Sequence, residues 1–203
     1  MRVRTARSRE DLEAVWRLTH DVYVAEGYAA PQADGMLRHY ALDGLPETTV
    51  WLAEDDAGQL VGTLSLTLDN PVGLHVDEDF KDVVDGVRGE CRREGKVLGA
   101  FWRIVSDPSF RGRLEVSLGL VNAGVEAAAS LPVDVSLYTF NPKHESFYRR
   151  VLDLEPIAGP RPSHSVQGAP GILMRGERKK MVARWAGITR RRTSARLAPV
   201  AVG

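Results

Sequence analysis

A chain of 203 residues has room for one domain with a sizeable core and a short extension. Lys plus Arg number 27, as do Asp plus Glu, so no global field recruits nucleic acid or an acidic surface, and 43% hydrophobic content describes an ordinary soluble protein. A single cysteine, Cys91, rules out an internal disulfide framework and suggests a reducing compartment. No apolar run approaches the ~20 residues that span a bilayer, and residues 1–4 lack the apolar core of a signal peptide, so a cytoplasmic protein is expected.

Residues 3–6 read as a short opening strand. Ser8 then caps a helix, with Asp11 three residues on as a capping-box variant. Leu12, Val15, Trp16, Leu18, Thr19, Val22 and Tyr23 carry the helical period as far as Gly27. Residues 28–47 are irregular and rich in Pro, Gly and Asp, with one helical turn expected around 36–40. Residues 48–53 and 60–68 read as strands joined by the turn Glu54-Asp55-Asp56-Ala57-Gly58, and Gly62 marks a bulge or a close approach.

A loop at 70–80 leads to a charged helical segment at 81–94, weakened by Gly86 and Gly89. His75 beside Asp77, Glu78 and Asp79 matches no strong metal-ligand spacing, so a solvated acidic loop is the expectation there. Residues 97–105 form the central apolar strand, which carries Arg103; a buried arginine requires a partner, either an internal acid or a ligand carboxylate. Residues 111–129 are free of proline, and Leu114, Leu118, Val121, Val125 and Ala128 fall at helical spacing. Residues 133–140 are a strand, Asn141-Pro142 opens a helix, and residues 166–175 are a further strand candidate. From Arg175 onward nine basic residues face one acid, Glu177. Residues 1–175 are therefore expected to form the domain and 176–203 a basic C-terminal tail, whose alternatives are a mobile segment or a short helix lying on an anionic membrane surface.

The run Asn141-Pro142-Lys143-His144-Glu145-Ser146-Phe147-Tyr148-Arg149-Arg150-Val151-Leu152, with Leu154-Glu155-Pro156-Ile157 behind it, resembles the closing part of the GNAT acyltransferase fold. The wording is similar to that of N-acyl amino acid synthases of the FeeM type, relatives of the acyl-homoserine-lactone synthases. Two further stretches resemble the same family. One is Trp16-Arg17-Leu18-Thr19-His20-Asp21-Val22-Tyr23-Val24-Ala25-Glu26-Gly27-Tyr28, where Thr19 and Asp21 stand at positions that carry arginine in many members. The other is Gly168-Ala169-Pro170-Gly171-Ile172-Leu173-Met174-Arg175. The order of elements, an antiparallel first half and a βαβ-like second half, independently matches an α/β (α+β) GNAT-like fold with a mixed central sheet flanked by helices.

The resemblance implies an N-acyltransferase that moves a medium or long acyl group from an acyl-carrier-protein or CoA thioester to a primary amine such as an amino acid, with no permanently bound cofactor. It implies a slot for the thioester arm between the strand ending at Val105 and the strand ending at Phe140. Arg103, Ile104 and Val105 would flank that arm, Arg111, Gly112 and Arg113 would meet its phosphate, and Asn141 would bond it or act only as a cap. Leu114 and Val116 occupy positions where acetyl-CoA enzymes of this fold carry small residues around a pyrophosphate, which favours a carrier-protein donor.

Tyr148 is the candidate donor of a proton to the leaving thiolate. His144 is a candidate base, and Glu90 a candidate carboxylate near the acceptor amine. Trp51, Leu64, Leu66, Leu68, Phe101 and Trp102 are candidates for either an acyl tunnel or plain core. Two alternatives stand beside this reading: an acetyl-CoA-dependent N-acetyltransferase, and a GNAT-like binding module without catalysis.

Overall fold

The computed structural model describes residues 1–110 and 114–197. Seven strands form one sheet in the order β1-β2-β3-β4-β5-β7-β6. β1 (Arg2–Thr5), β2 (Thr48–Glu54), β3 (Leu60–Leu68) and β4 (Leu98–Ser106) are antiparallel neighbours, and β5 (Val135–Phe140) joins β4 in parallel. β7 (Pro170–Glu177) lies antiparallel to β5, and β6 (Glu155–Pro162) completes the sheet antiparallel to β7.

The period of two along these strands divides the core into two faces. Leu98 and Ala100 of β4, Val135 and Leu137 of β5 and Leu173 of β7 pack under α2 (Asp77–Glu94), against Phe80, Val84, Val87 and Cys91. Phe101, Tyr138 and Met174 point the other way, toward α3 (Leu114–Ser130), α4 (Glu145–Leu152) and α5 (Arg178–Leu197). α1 (Arg9–Ala25) lies over Val50 and Leu52 through Val15. Fully enclosed side chains such as Phe80 and Phe101 each contribute about 1.5–3 kcal/mol of burial.

Local chemistry explains the element ends. Ser8 Oγ accepts from the Asp11 amide while Asp11 accepts from the Ser8 amide, a reciprocal capping box. Asn141 Oδ1 accepts from the Lys143 amide, and Pro142 opens the 3-10 turn that runs into α4. Gly62 makes a close approach: a Cβ there would lie 3.0 Å from Leu120 and 3.1 Å from the Val105 carbonyl.

The structure corrects two expectations. Residues 36–40 form no helical turn; the Leu37 amide bonds to the Trp16 carbonyl and Arg38 stacks over the Trp16 ring, so the segment is strapped to α1. Nor does the domain end at residue 175. That boundary cuts β7, and the basic segment continues as α5, whose Met181 and Trp185 are buried against α3 and α4. Its charges mask a helix with an apolar stripe.

One irregularity in β4 stands out. Thr63 of β3 faces Val105 while Ser65 faces Trp102, so Arg103 and Ile104 together oppose Leu64. This is a β-bulge, one residue more on β4 than on β3. Arg103 takes φ +50°, a left-handed conformation uncommon for a residue with a side chain.

Candidate active site

β4 and β5 pair in register from Leu98↔Val135 to Phe101↔Tyr138, and there the ladder stops. Beyond it, β4 continues against β3, while Thr139 and Phe140 of β5 pair with Leu173 and Ile172 of β7. The two central strands thus diverge at the bulge, and a slot opens between residues 102–106 and residues 139–140. The β5-facing edge of β4 has no strand partner there, so an extended ligand with amide groups can pair along it.

Two chambers meet at this slot. The first, of about 340 Å³, is apolar: Leu64, Phe101, Leu120, Val125, Tyr138 and Met181 are among its walls. Phe101, Tyr138, Phe140 and Tyr148 form a continuous run of stacked rings along it, with centroids 5.3, 5.6 and 3.8 Å apart. The second chamber, of about 650 Å³, is the more polar of the two and opens toward α1: Tyr23, Tyr28, His39, His75, Glu78 and Arg103 contribute to it. Six residues belong to both, and Tyr148, His144 and Ser106 are the polar side chains among them. Tyr148 therefore stands at the junction. Burial pushes its hydroxyl up to about 12, so it is protonated at neutral pH and able to donate. His144 is exposed at the rim; partial desolvation, then the Lys143 charge, lowers its proton affinity below that of an ordinary histidine.

Trp102 organises the polar chamber. The Arg103 guanidinium lies 4.3 Å over its ring, His75 stacks at 5.7 Å and His39 meets it edge-on at 5.1 Å. Asp43 holds the group together: Oδ2 accepts from Trp16 Nε1 at 2.8 Å and from the His39 amide at 2.7 Å, while Oδ1 lies 2.6 Å from Arg103 Nη2. Arg103 Nη1, His39 Nε2 and His75 Nδ1 are buried with no hydrogen-bond partner among the described residues, although Glu78 Oε1 comes within 3.3 Å of His39 Nε2, off the bonding direction. Native proteins seldom leave such groups orphaned, and three around one cavity point to a polar ligand. Burial holds the His75 imidazole down to about 3, so it is neutral.

The expected residues divide accordingly. Tyr148, His144, Arg103, Ile104, Val105 and Asn141 all line the junction or the polar chamber. Glu90 does not reach either: it lies on α2 in a two-pronged ion pair with Arg175, at 2.6 and 2.8 Å, which explains its depressed proton affinity. Arg111, Gly112 and Arg113 lie outside the described residues. His75, expected in a solvated acidic loop, is instead half-buried and stacked on Trp102, and no group of three or more metal-ligating side chains forms among the described residues. Of the tunnel candidates, Leu64 and Phe101 line the apolar chamber and Trp102 the polar one, whereas Trp51 and Leu66 are core. Cys91 is buried, and desolvation raises its thiol above the usual range, as for an unreactive sulfhydryl. Asp43 and His39 were not legible as site residues, because they stand in an irregular segment where periodicity carries no information; Glu78 was weighed only as part of an acidic cluster with His75.

The family model for N-acyl amino acid synthase FeeM matches residues 14–177. The chain belongs to the FeeM family of N-acyl amino acid synthases. It is an acyltransferase enzyme with N-acyltransferase chemistry. Solved structures similar in fold include FeeM itself, an N-acyl amino acid synthase from uncultured soil microbes, at 22% identity and TM-score 0.71 over 92% of this chain and 93% of that one. The acyl-homoserine-lactone synthase LasI is similar at 18% identity and TM-score 0.64, over 92% and 94%. An acyl-CoA N-acyltransferase from Pseudomonas aeruginosa is similar at 22% identity and TM-score 0.58, over 86% and 97%. No curated protein sequence matches the chain. The mixed seven-stranded sheet with its flanking helices is thus a GNAT-type acyl-CoA N-acyltransferase fold. Among the described residues no helix is long and apolar enough to cross a membrane.

Proposed function

We propose that this enzyme transfers a medium or long acyl group from a carrier-protein thioester to the amino group of an amino acid. The observation that carries the reading is the meeting of the apolar and polar chambers at Tyr148. The acyl chain occupies the apolar chamber. A 150 Å³ apolar cavity accepts benzene, so 340 Å³ accommodates about a dozen carbon atoms. An acetyl group would leave most of that space empty, which argues against acetyl-CoA as the donor.

The pantetheine arm lies in the slot along the unpaired edge of β4, and the acceptor enters the polar chamber. There the orphaned Nη1 of Arg103 receives the acceptor's carboxylate, a charge-assisted bond that spares the guanidinium from being half-satisfied. Trp102 and the tyrosine pair Tyr23–Tyr28, edge to face at 5.9 Å, offer apolar area to the acceptor's side chain. The deprotonated amine attacks the thioester carbonyl carbon, a C–N bond forms, the C–S bond breaks, and Tyr148 donates its proton to the departing thiolate. The phenolate regains a proton from the amine nitrogen, directly or through His144, so the ledger of protons closes without a covalent enzyme intermediate.

Direct assay decides the matter. Purified enzyme with acyl-carrier-protein and acyl-CoA thioesters of graded length, offered the twenty amino acids, is expected to yield N-acyl amino acids detected by mass spectrometry, with carrier-protein donors preferred. Turnover of acetyl-CoA alone would support an N-acetyltransferase, and binding of thioester without consumption would support a non-catalytic module.

A further inference from the structure

We infer that α5 closes the far end of the apolar chamber and that Met181 sets the length of acyl chain the enzyme accepts. The inference rests on the proposed acyl occupancy of that chamber. It concerns a helix that begins at Arg178, beyond the residues matched by the family model.

The direction of the chamber follows from the sheet. Its mouth is at the slot, beside Ser106, His144 and Tyr148, where β4 and β5 have parted. Its other end lies where the strands are still paired, beside Tyr138. Met181 is at that end: its Sδ is 3.4 Å from Ser136 Oγ and 3.6 Å from the Tyr138 hydroxyl, and the residue is 1% exposed while lining the chamber. A chain threaded from the slot past Phe101 and Tyr138 therefore ends against the Met181 thioether.

The stop is held in place from three sides. Gly176 of β7 leaves the space the thioether fills; a Cβ at that position would stand 2.5 Å from Sδ and 2.7 Å from Leu154. Trp185, one turn on, donates from Nε1 to Asn122 Oδ1 of α3 at 2.8 Å. Arg184 donates from Nε to the Arg150 carbonyl at the end of α4 at 2.8 Å. The helix is fixed, but the side chain is not rigid. Methionine is unbranched with three rotatable bonds, so the stop tolerates neighbouring lengths and gives a graded preference, not a sharp cut-off.

The test uses the full chain, the Met181→Ala and Met181→Phe variants, and Lys179→Ala on the exposed side of α5 as a reference. Binding of saturated fatty acids from hexanoic to hexadecanoic is followed by native mass spectrometry, and turnover of the matching thioesters by product mass. Met181→Ala removes about three heavy atoms from the chamber's end, so the preferred chain is expected to lengthen by about two to three carbons. Met181→Phe is expected to shorten it, with relative kcat/KM for the original optimum falling about tenfold per misfit carbon. Lys179→Ala is expected to keep the parent profile. Unchanged length profiles in both folded Met181 variants would overturn the assignment. A shift in fatty-acid binding without any amide product from any thioester would leave the length stop standing and defeat the transferase reading instead.

Discussion

Asp43 and Arg103 face each other at 2.6 Å, with side chains 7% and 3% exposed, and Arg103 lines the polar chamber. One carboxylate oxygen neutralises the guanidinium and the other fixes Trp16 and the His39 amide, which leaves Nη1 of Arg103 buried without a hydrogen-bond partner among the described residues. A buried pair of this kind does little for stability in itself, yet breaking it is costly because one charge is then stranded.

The two halves of the pair should therefore respond differently. Arg103→Lys keeps a cation beside Asp43 but loses the forked donor, and the KM for the amino acid acceptor is expected to rise about 10- to 150-fold with the donor KM unchanged. Asp43→Ala is expected to lower unfolding free energy by about 3–5 kcal/mol in urea titrations. A lysine variant with parent acceptor KM would remove Arg103 from acceptor recognition.

Tyr148 makes a second prediction. Tyr148→Phe retains the ring stacked on Phe140 and loses only the hydroxyl, so kcat is expected to drop about 100- to 10,000-fold with little change in either KM. The same hydroxyl is linked to alkaline stability. Burial raises its folded pKa to about 12, above the ordinary tyrosine value of 10.0, so its contribution is intact below pH 10 and is lost as pH rises from there toward 12. That loss amounts to roughly 3 kcal/mol at most, and thermal melts of Tyr148→Phe across this window should show correspondingly less decline.

His75 gives the opposite sign. Its folded pKa is lowered from 6.5 to about 3, first by burial and then by the His39 charge, so the unfolded chain takes up a proton before the folded one does. Stability from this source is present above pH 6.5 and falls as pH drops toward 3, by up to roughly 4–5 kcal/mol. His75→Phe, which keeps a ring against Trp102, is expected to flatten the acid limb of the stability curve between pH 6.5 and 4. An acid limb identical to the parent's would show that His75 titrates normally.

Gly176 tests the packing under α5. Gly176→Ala drives a methyl into Met181 Sδ and Leu154, and overpacking of this sort is expected to cost about 1–3 kcal/mol and to displace the end of the apolar chamber. Chemical denaturation measures the first effect. A fully stable variant would mean that α5 shifts away freely.

Much of the fold was legible because local chemistry and global architecture agree. Ser8 with Asp11, Asn141 with Pro142, and the alternation through residues 60–68 each announced an element that the structure contains. The slot between β4 and β5 was also legible, through the family wording around Tyr148. The bulge was not, since one inserted residue hardly disturbs a run as apolar as residues 97–105. Asp43 and His39 were hidden for a different reason: they reach the site across 27 or more residues of chain, from Trp16 to Asp43 and on to Arg103, and no local pattern encodes such a contact. α5 was obscured by its surface, where Lys179, Lys180 and Arg184 outweigh the buried Met181 and Trp185 in any reading by composition.

The extra residue at Arg103–Ile104 ties the proposed substrate recognition to sheet geometry. The bulge stands where β4 parts from β5, at the slot proposed for the thioester arm, and it also carries the guanidinium into the lining of the chamber proposed for the acceptor. Trimming β4 by that one position would let the ladder run on past Phe101 and carry the cation elsewhere. On the proposed reading, donor entry and acceptor capture would then be lost together.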